Sequence, residues 1–281
     1  MSKLDCDSFD KNIIAIDIQN IGDIIPGHRI NNRMHVHKID KYDDKFIDRL
    51  IKLFNTWYFK REHPDSVHKL HAVIKKAVKD RKPISFVLYW GKGPRSEQAH
   101  PDVQCLNYLN ELTQRIQSIY HLGVTITLIF TDTHARLNGF STRETQSYFS
   151  EIVLSAKRLK FNHCFLGNLV ENTDMSHEIA IFPSEKMLST LTVSAAKWYR
   201  GSDAPHIAAA TYYSMNMIEK KAVESAFPES IFITFNGSEM RELFPDNMSI
   251  FYMYSIKRGT SVKPWFIPAP PHDDANDAAS I

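Results

Sequence analysis

Residues 83–132 read PISFVLYWGKGPRSEQAHPDVQCLNYLNELTQRIQSIYHLGVTITLIFTD, and this stretch decides the fold. Residues 84–90 are a short apolar run, rich in β-branched and aromatic side chains, that stops at Gly91. A basic loop punctuated by glycine and proline follows, GKGPRSEQAHPD. Val103, Leu106, Leu109, Leu112, Ile116 and Ile119 then recur every three or four residues, the spacing of a helix face. Gly123 ends that segment, and residues 124–130 form a second β-branched run that closes on Thr131-Asp132. Strand, loop, helix and strand make a βαβ unit, whose crossover joins parallel strands. Ligands of open α/β sheets bind beyond the carboxyl ends of the strands. Here those ends carry Lys92, Arg95, Asp102, Thr131 and Asp132, and the active site is expected there.

Working outward, the same alternation continues. Residues 43–60 read as an amphipathic helix, Ser66 as the N-cap of another, and 80–83 as the turn into the first central strand. Beyond Asp132, THARLNGF reads as a polar loop, and Ser141-Thr142-Arg143-Glu144 matches a capping box opening a helix to about Leu159. A third strand is expected at 164–170, helices at 185–198 and 207–226, a strand at 230–235, a short helix at 237–244 and a last strand at 248–256. The pattern predicts an α/β, Rossmann-like fold. Its sheet is mostly parallel with helices on both faces, and an antiparallel edge near the C-terminus is left open. Residues 41–266 are expected to form one domain, with 1–40 packed on it. The tail 267–281, rich in Pro, Ala and Asp, is expected to be disordered.

Composition sets bounds. The formal net charge is +2, from 34 basic and 32 acidic residues among 281, which gives no global field for nucleic acid or an anionic membrane. No apolar run approaches the roughly 20 residues that span a bilayer, and the N-terminus lacks the apolar core of a signal peptide. Cys6, Cys105 and Cys164 are too few and too scattered for a disulfide framework. A cytoplasmic protein is the expectation.

Several chemistries lose their motifs. There is no G-x-x-x-x-G-K-[ST], no G-x-S-x-G, no G-x-G-x-x-G after a strand, no H-E-x-x-H and no C-x-x-C. His35-x-His37 and His68-x-x-His71 share faces but lack the partners of a zinc or iron site, so no metal and no cofactor are expected. Gly91-Lys92-Gly93-Pro94-Arg95 is the strongest site candidate: glycines let backbone amides approach an anion, and the two cations supply charge. An exposed basic turn is the plain alternative. Asp102 reads as an N-cap, an ammonium anchor or a proton-transfer group, and Asp132 as a general base or a turn former. The basic aromatic turn Lys197-Trp198-Tyr199-Arg200 suits either an anionic aromatic ligand or an ordinary helix C-terminus.

Lys92-Gly93-Pro94, Pro101-Asp102, Tyr120-His121-Leu122-Gly123 and Thr131-Asp132 follow one another in an order and spacing that resembles the isocyanide (isonitrile) synthase family, also described as pyoverdine/dityrosine biosynthesis proteins. A C-terminal echo is Phe227-Pro228, two apolar strands and Lys263-Pro264-Trp265-Phe266. The chain departs from the family pattern at Gly93, where the family has serine, and at Phe266, where it has histidine. A histidine-containing segment is replaced by Asn236-Gly237-Ser238.

The resemblance implies an enzyme of secondary-metabolite biosynthesis that condenses the amine of an α-amino acid with the C2 ketone of ribulose 5-phosphate. Fragmentation then leaves that carbon as the isonitrile, without metal or nicotinamide, and an oxygenase acts downstream. On this reading Lys92, Asp102 and Asp132 are the catalytic candidates. Gly91, Gly93, Arg95, Thr131, His134, Arg200 and Trp265 are the substrate-binding candidates. The partners are the amino acid and the sugar phosphate, with no nucleic acid and no membrane; a homodimer is left open. The rival readings are a formyl, one-carbon or S-adenosylmethionine-dependent transferase of similar fold, and a non-catalytic binder of a sugar phosphate or amino acid.

Overall fold

The computed structural model describes residues 43–91, 100–173 and 182–254, with short strands at 256–257 and 260–261. The readings placed on residues 1–40 and 267–281 lie outside these.

Strand β1 (Ile84–Trp90) is the centre of a five-stranded sheet. Its neighbours are β2 (Val124–Phe130) on one side and β4 (Ile231–Thr234) on the other. Beyond them lie β3 (Asn162–Phe165) and β5 (Ser249–Tyr252), giving the order β3-β2-β1-β4-β5. Every pairing is parallel. Register runs from Ile84 opposite Val124 to Trp90 opposite Phe130, and Phe86 stands opposite Ile231. The edge left open as antiparallel is therefore parallel, because β5 returns through a crossover and pairs with β4. Antiparallel pairing is confined to the bridge between Lys60 and Met253 and to the hairpin of β6 (Ile256–Lys257) and β7 (Thr260–Ser261).

Strand residues alternate between two cores. Phe86, Leu88 and Trp90 face one side. There they meet α1 (Asp44–Phe54), α2 (Val67–Lys79), α3 (His100–Gln117) and α5 (Thr142–Arg158). Val87 and Tyr89 face the other, against α6 (Leu166–Glu171), α7 (Glu185–Trp198) and α8 (Pro205–Ala226). Burial on both faces explains why the central strands are continuous apolar runs rather than alternating ones. Winding changes direction between β1 and β4, and that switch point opens a crevice at the carboxyl ends of the strands. Among the described residues no helix is long and apolar enough to cross a membrane.

Three elements differ from the sequence reading. The helix expected over 43–60 stops at Phe54. The chain then turns so that Tyr254 N–H donates to Phe59 O and Arg61 N–H to Tyr252 O, covering the outer edge of β5. The polar loop after Asp132 is a helix, α4 (Asp132–Leu137), with the acid in its first turn and Arg136 in its last, as the helix dipole favours. The third strand is β3 followed at once by α6, because a short apolar run such as CFLGNLV satisfies either period.

The capping box is present: Ser141 Oγ accepts from Glu144 N–H at 3.2 Å, and the Glu144 carboxylate accepts from Ser141 N–H at 2.9 Å. Ser141→Ala is expected to cost about 1 kcal/mol of stability, readable as a lower urea midpoint with an unchanged slope.

Candidate active site

The crevice is built from the residues that follow β1, β2 and β4. Gly91 leaves β1 with φ +80°, and a Cβ there would sit 3.3 Å from the rings of Tyr148 and Phe149, so the position needs glycine for its conformation. Lys92, Gly93, Arg95 and Trp265 lie outside the described residues.

Asp102 is the third residue of α3, inside the helix rather than its N-cap, and it is fully buried. The Trp90 indole N–H donates to Tyr148 Oη at 3.1 Å, and Tyr148 O–H donates to Asp102 Oδ1 at 3.0 Å. This chain links the last residue of β1 to the first turn of α3, where the helix dipole favours a carboxylate. Thr131 is buried, and both its N–H and its hydroxyl donate to Trp90 O, tying the ends of β1 and β2 together.

Asp132 serves the backbone. Its Oδ1 accepts from Gly167 N–H at 2.9 Å, and its Oδ2 lies 3.9 Å from Arg136. A Cβ on Gly167 would fall 2.8 Å from that second oxygen, so glycine is what lets α6 approach. The geometry is that of the turn former bonded to nearby backbone. Other motif residues also have architectural partners: Tyr120 O–H donates to Lys82 O at 2.6 Å, and Gly123 turns into β2 at φ +64°.

His134, in α4, is fully buried, and its Nε2 is 2.5 Å from Glu219 Oε2. Glu219, buried in α8, also accepts from the Thr133 hydroxyl at 2.5 Å. An ionised carboxylate can only accept, so Nε2 carries the hydrogen and Nδ1 is the remaining nitrogen. Nδ1 is buried with no hydrogen-bond partner among the described residues. The rings of Tyr89 and Tyr212 stand edge-on to the imidazole, with centroids 5.8 and 5.1 Å away. Burial first, and the Glu219 charge second, hold the Tyr89 phenol well above its ordinary pKa, so it stays neutral.

Tyr89 Oη and Asn216 Oδ1 also lack partners, and both residues line a cavity of about 20 Å³ shared with Tyr212, Thr234 and Asn236. That volume holds one water molecule. The arrangement is a buried histidine whose tautomer is set from behind by a carboxylate; the small cavity next to Tyr89 is lined mainly by apolar side chains, Phe232, Ile233, Leu243 and Phe244. A larger cleft of about 250 Å³ lies at the opposite end of β1 and β4, around Lys82, Ser85, Phe227 and Ser230. There the two serine hydroxyls satisfy each other at 2.7 Å, and the ends of the strands that bind ligands are elsewhere.

Arg200 is exposed, with its guanidinium stacked 4.8 Å over Phe140 on the connection between α4 and α5. Tyr199 O–H donates to Asp203 at 3.0 Å, so this turn satisfies itself. Burial pushes the Cys105 thiol well up and the Cys164 thiol up to about 11, which leaves neither as a thiolate nucleophile. Among the described residues no three His, Cys, Asp or Glu side chains converge as a metal would need.

Sequence reasoning missed Asn216 and Glu219, and takes Tyr212-Tyr213 as core packing rather than a site. Tyr212, Asn216 and Glu219 stand at i, i+4 and i+7 on one face of α8, but Lys220, Lys221 and Glu224 around Glu219 hide that signal.

A five-stranded, all-parallel sheet with a single switch point and helices on both faces defines a Rossmann-like α/β protein. Among solved structures, the fold is similar to that of the PvcA protein from Pseudomonas aeruginosa, with a TM-score of 0.55 and 14% identity over 77% of this chain and 86% of that one. PvcA is a pyoverdine/isocyanide synthase family protein, so the chain shares its fold with a member of the family that its motifs resemble. A tyrosyl-tRNA synthetase complexed with L-tyrosine from Archaeoglobus fulgidus is similar at a TM-score of 0.44 and 12% identity, over 75% of this chain and 65% of that one. No family model and no curated protein matches the sequence.

Glu219→Ala leaves His134 Nε2 buried without an acceptor and removes the acceptor of the half-buried Thr133 hydroxyl. It is expected to cost about 1–3 kcal/mol, seen as a fall in thermal midpoint together with a loss of near-ultraviolet circular dichroism.

Proposed function

We propose that this protein is an isocyanide-synthase-like enzyme that joins the amine of an α-amino acid to the C2 carbonyl of a pentose phosphate. The observation that carries the reading is that the motif order and the fold agree. Pro101-Asp102 falls at the start of α3 and Thr131-Asp132 at the end of β2, on a fold similar to that of PvcA. Ligands of open α/β sheets bind at that edge, which supports the reading.

Within this reading His134 takes the proton that an amino-acid ammonium must lose before its nitrogen attacks a ketone. Glu219 holds the ring by Nε2 and leaves Nδ1 to receive the proton. Tyr89, whose ring packs on the imidazole, and Asn216 carry buried polar atoms with no partner among the described residues. Asp102, paired with Tyr148, steadies the start of α3, and the basic residues Lys92 and Arg95, ahead of it in the sequence, are the sequence's candidates for the phosphate. Asp132 is assigned to positioning, since its carboxylate already receives the Gly167 amide.

The test is to incubate the purified protein with ribulose 5-phosphate and each proteinogenic amino acid and to analyse the products by mass spectrometry. An isonitrile that requires the pentose phosphate is expected, with His134→Asn lowering its rate by roughly 10²–10⁴-fold. Absence of any product dependent on the sugar phosphate would remove the reading.

A further inference from the structure

Two lysines of the described chain are nine-tenths or more buried, and they are treated differently. Lys220 pairs with Asp246 at 2.9 Å and donates to Glu242 O at 3.1 Å. Lys60, only 6% exposed, has no carboxylate partner among the described residues. Its ammonium meets His63 Nδ1 at 3.4 Å and lies 4.6 Å from the centre of the Trp57 ring. The nearby acids are engaged elsewhere: Glu62 by Ser238 and Arg61, and Asp65 by Arg241 and Tyr252.

The position is built. The bridge to Met253, with hydrogen bonds on either side, fixes the Lys60 backbone just past the carboxyl end of β5. This is the edge of the sheet at which ligands of such folds bind. Above the ammonium, Trp57 and His63 meet edge to face at 5.6 Å, with Trp57 64% exposed and His63 exposed. An entering anion would give this ammonium the counter-ion it lacks among the described residues, through a charge-assisted hydrogen bond. Because His63 Nδ1 accepts from Lys60, the neutral ring carries its hydrogen on Nε2, which supplies a second donor. An ammonium binds a phosphate group as a point charge, as the lysine of phosphate-binding loops does.

We propose that Lys60, with His63 and Trp57, forms a binding site for the phosphate group of a small phosphorylated ligand. In identifying that ligand with the pentose phosphate, the assignment rests on the function proposed above and puts Lys60, in place of Lys92 and Arg95, as the holder of its one phosphate. Lys60 holds the phosphate by charge, His63 adds a donor, and Trp57 closes one side.

The test is calorimetric titration at low salt with ribulose 5-phosphate and, separately, with inorganic phosphate, on the wild type, Lys60→Met and His63→Gln. Methionine keeps the buried stem and removes only the charge. Loss of a charge-assisted hydrogen bond is expected to weaken both probes by about tenfold to hundredfold in Lys60→Met, and His63→Gln by a few-fold, roughly the worth of one neutral bond. Equal binding of ribulose 5-phosphate by wild type and Lys60→Met would overturn the site and leave the proposed reaction standing; Lys60 would then be a stem-buried lysine with a solvated head. Lys60-dependent binding of inorganic phosphate, with no binding of the pentose phosphate and no isonitrile, would keep the site and remove the reaction. Binding of neither probe overturns the site. Should Lys60→Met fail to fold, the exposed His63→Gln and Trp57→Ala variants decide: unchanged affinity in both overturns the assignment.

Discussion

Strand β1 is hydrogen-bonded along both edges and covered on both faces, and the rest of the architecture follows from that placement. A strand in this position can leave no backbone group unpaired, since water cannot reach it. Parallel neighbours on both sides then require crossover connections, which put helices on both faces. The winding runs outward through β2 to β3, then returns by α6, α7 and α8 to begin again at β4. Gly91, Thr131 and Asn236 come from distant parts of the sequence and meet at one edge because β1, β2 and β4 end there.

The alternation of β1 also divides the polar chemistry. Trp90 points to one side and leads through Tyr148 to Asp102; Tyr89 points to the other and leads to His134 and Glu219. Adjacent residues of one strand thus start two buried networks on opposite faces. Both place a carboxylate where it would be expensive unless bonded, and in both it accepts from a neighbouring side chain. They differ in what is left over. Among the described residues, the second network retains an unpaired imidazole nitrogen, a phenol and an amide oxygen. Unpaired buried polar atoms are uncommon in folded proteins and call for a functional or structural account.

Much of the fold was legible because its strongest signals are local. The runs at 84–90 and 124–130 coincide with β1 and β2 end to end, and the expected helix at 185–198 coincides with α7. Ser66 and the box at Ser141 cap helices as their side-chain chemistry predicts. The site was harder to see. Asp102 and Asp132 stand out in the sequence as carboxylates at element ends, yet their bonds go to Tyr148 and Gly167, partners separated from them by many residues. Glu219 sits inside EKKAVESA, where it looks like one charge of a solvated helix face, and only the packing of α8 over the sheet makes it interior. Local pattern reports periodicity and caps; which polar residue is enclosed depends on tertiary contacts that no short window contains.

The bond from the Trp90 indole to Tyr148 has an optical meaning. Trp90 is fully enclosed, and its N–H is held by a hydroxyl that is itself held by Asp102 in the first turn of α3. Its excited state therefore senses a dry, ordered setting one bond removed from the opening turn of α3. The emission of this indole is a built-in gauge of how that turn is arranged, present in the chain without any added dye.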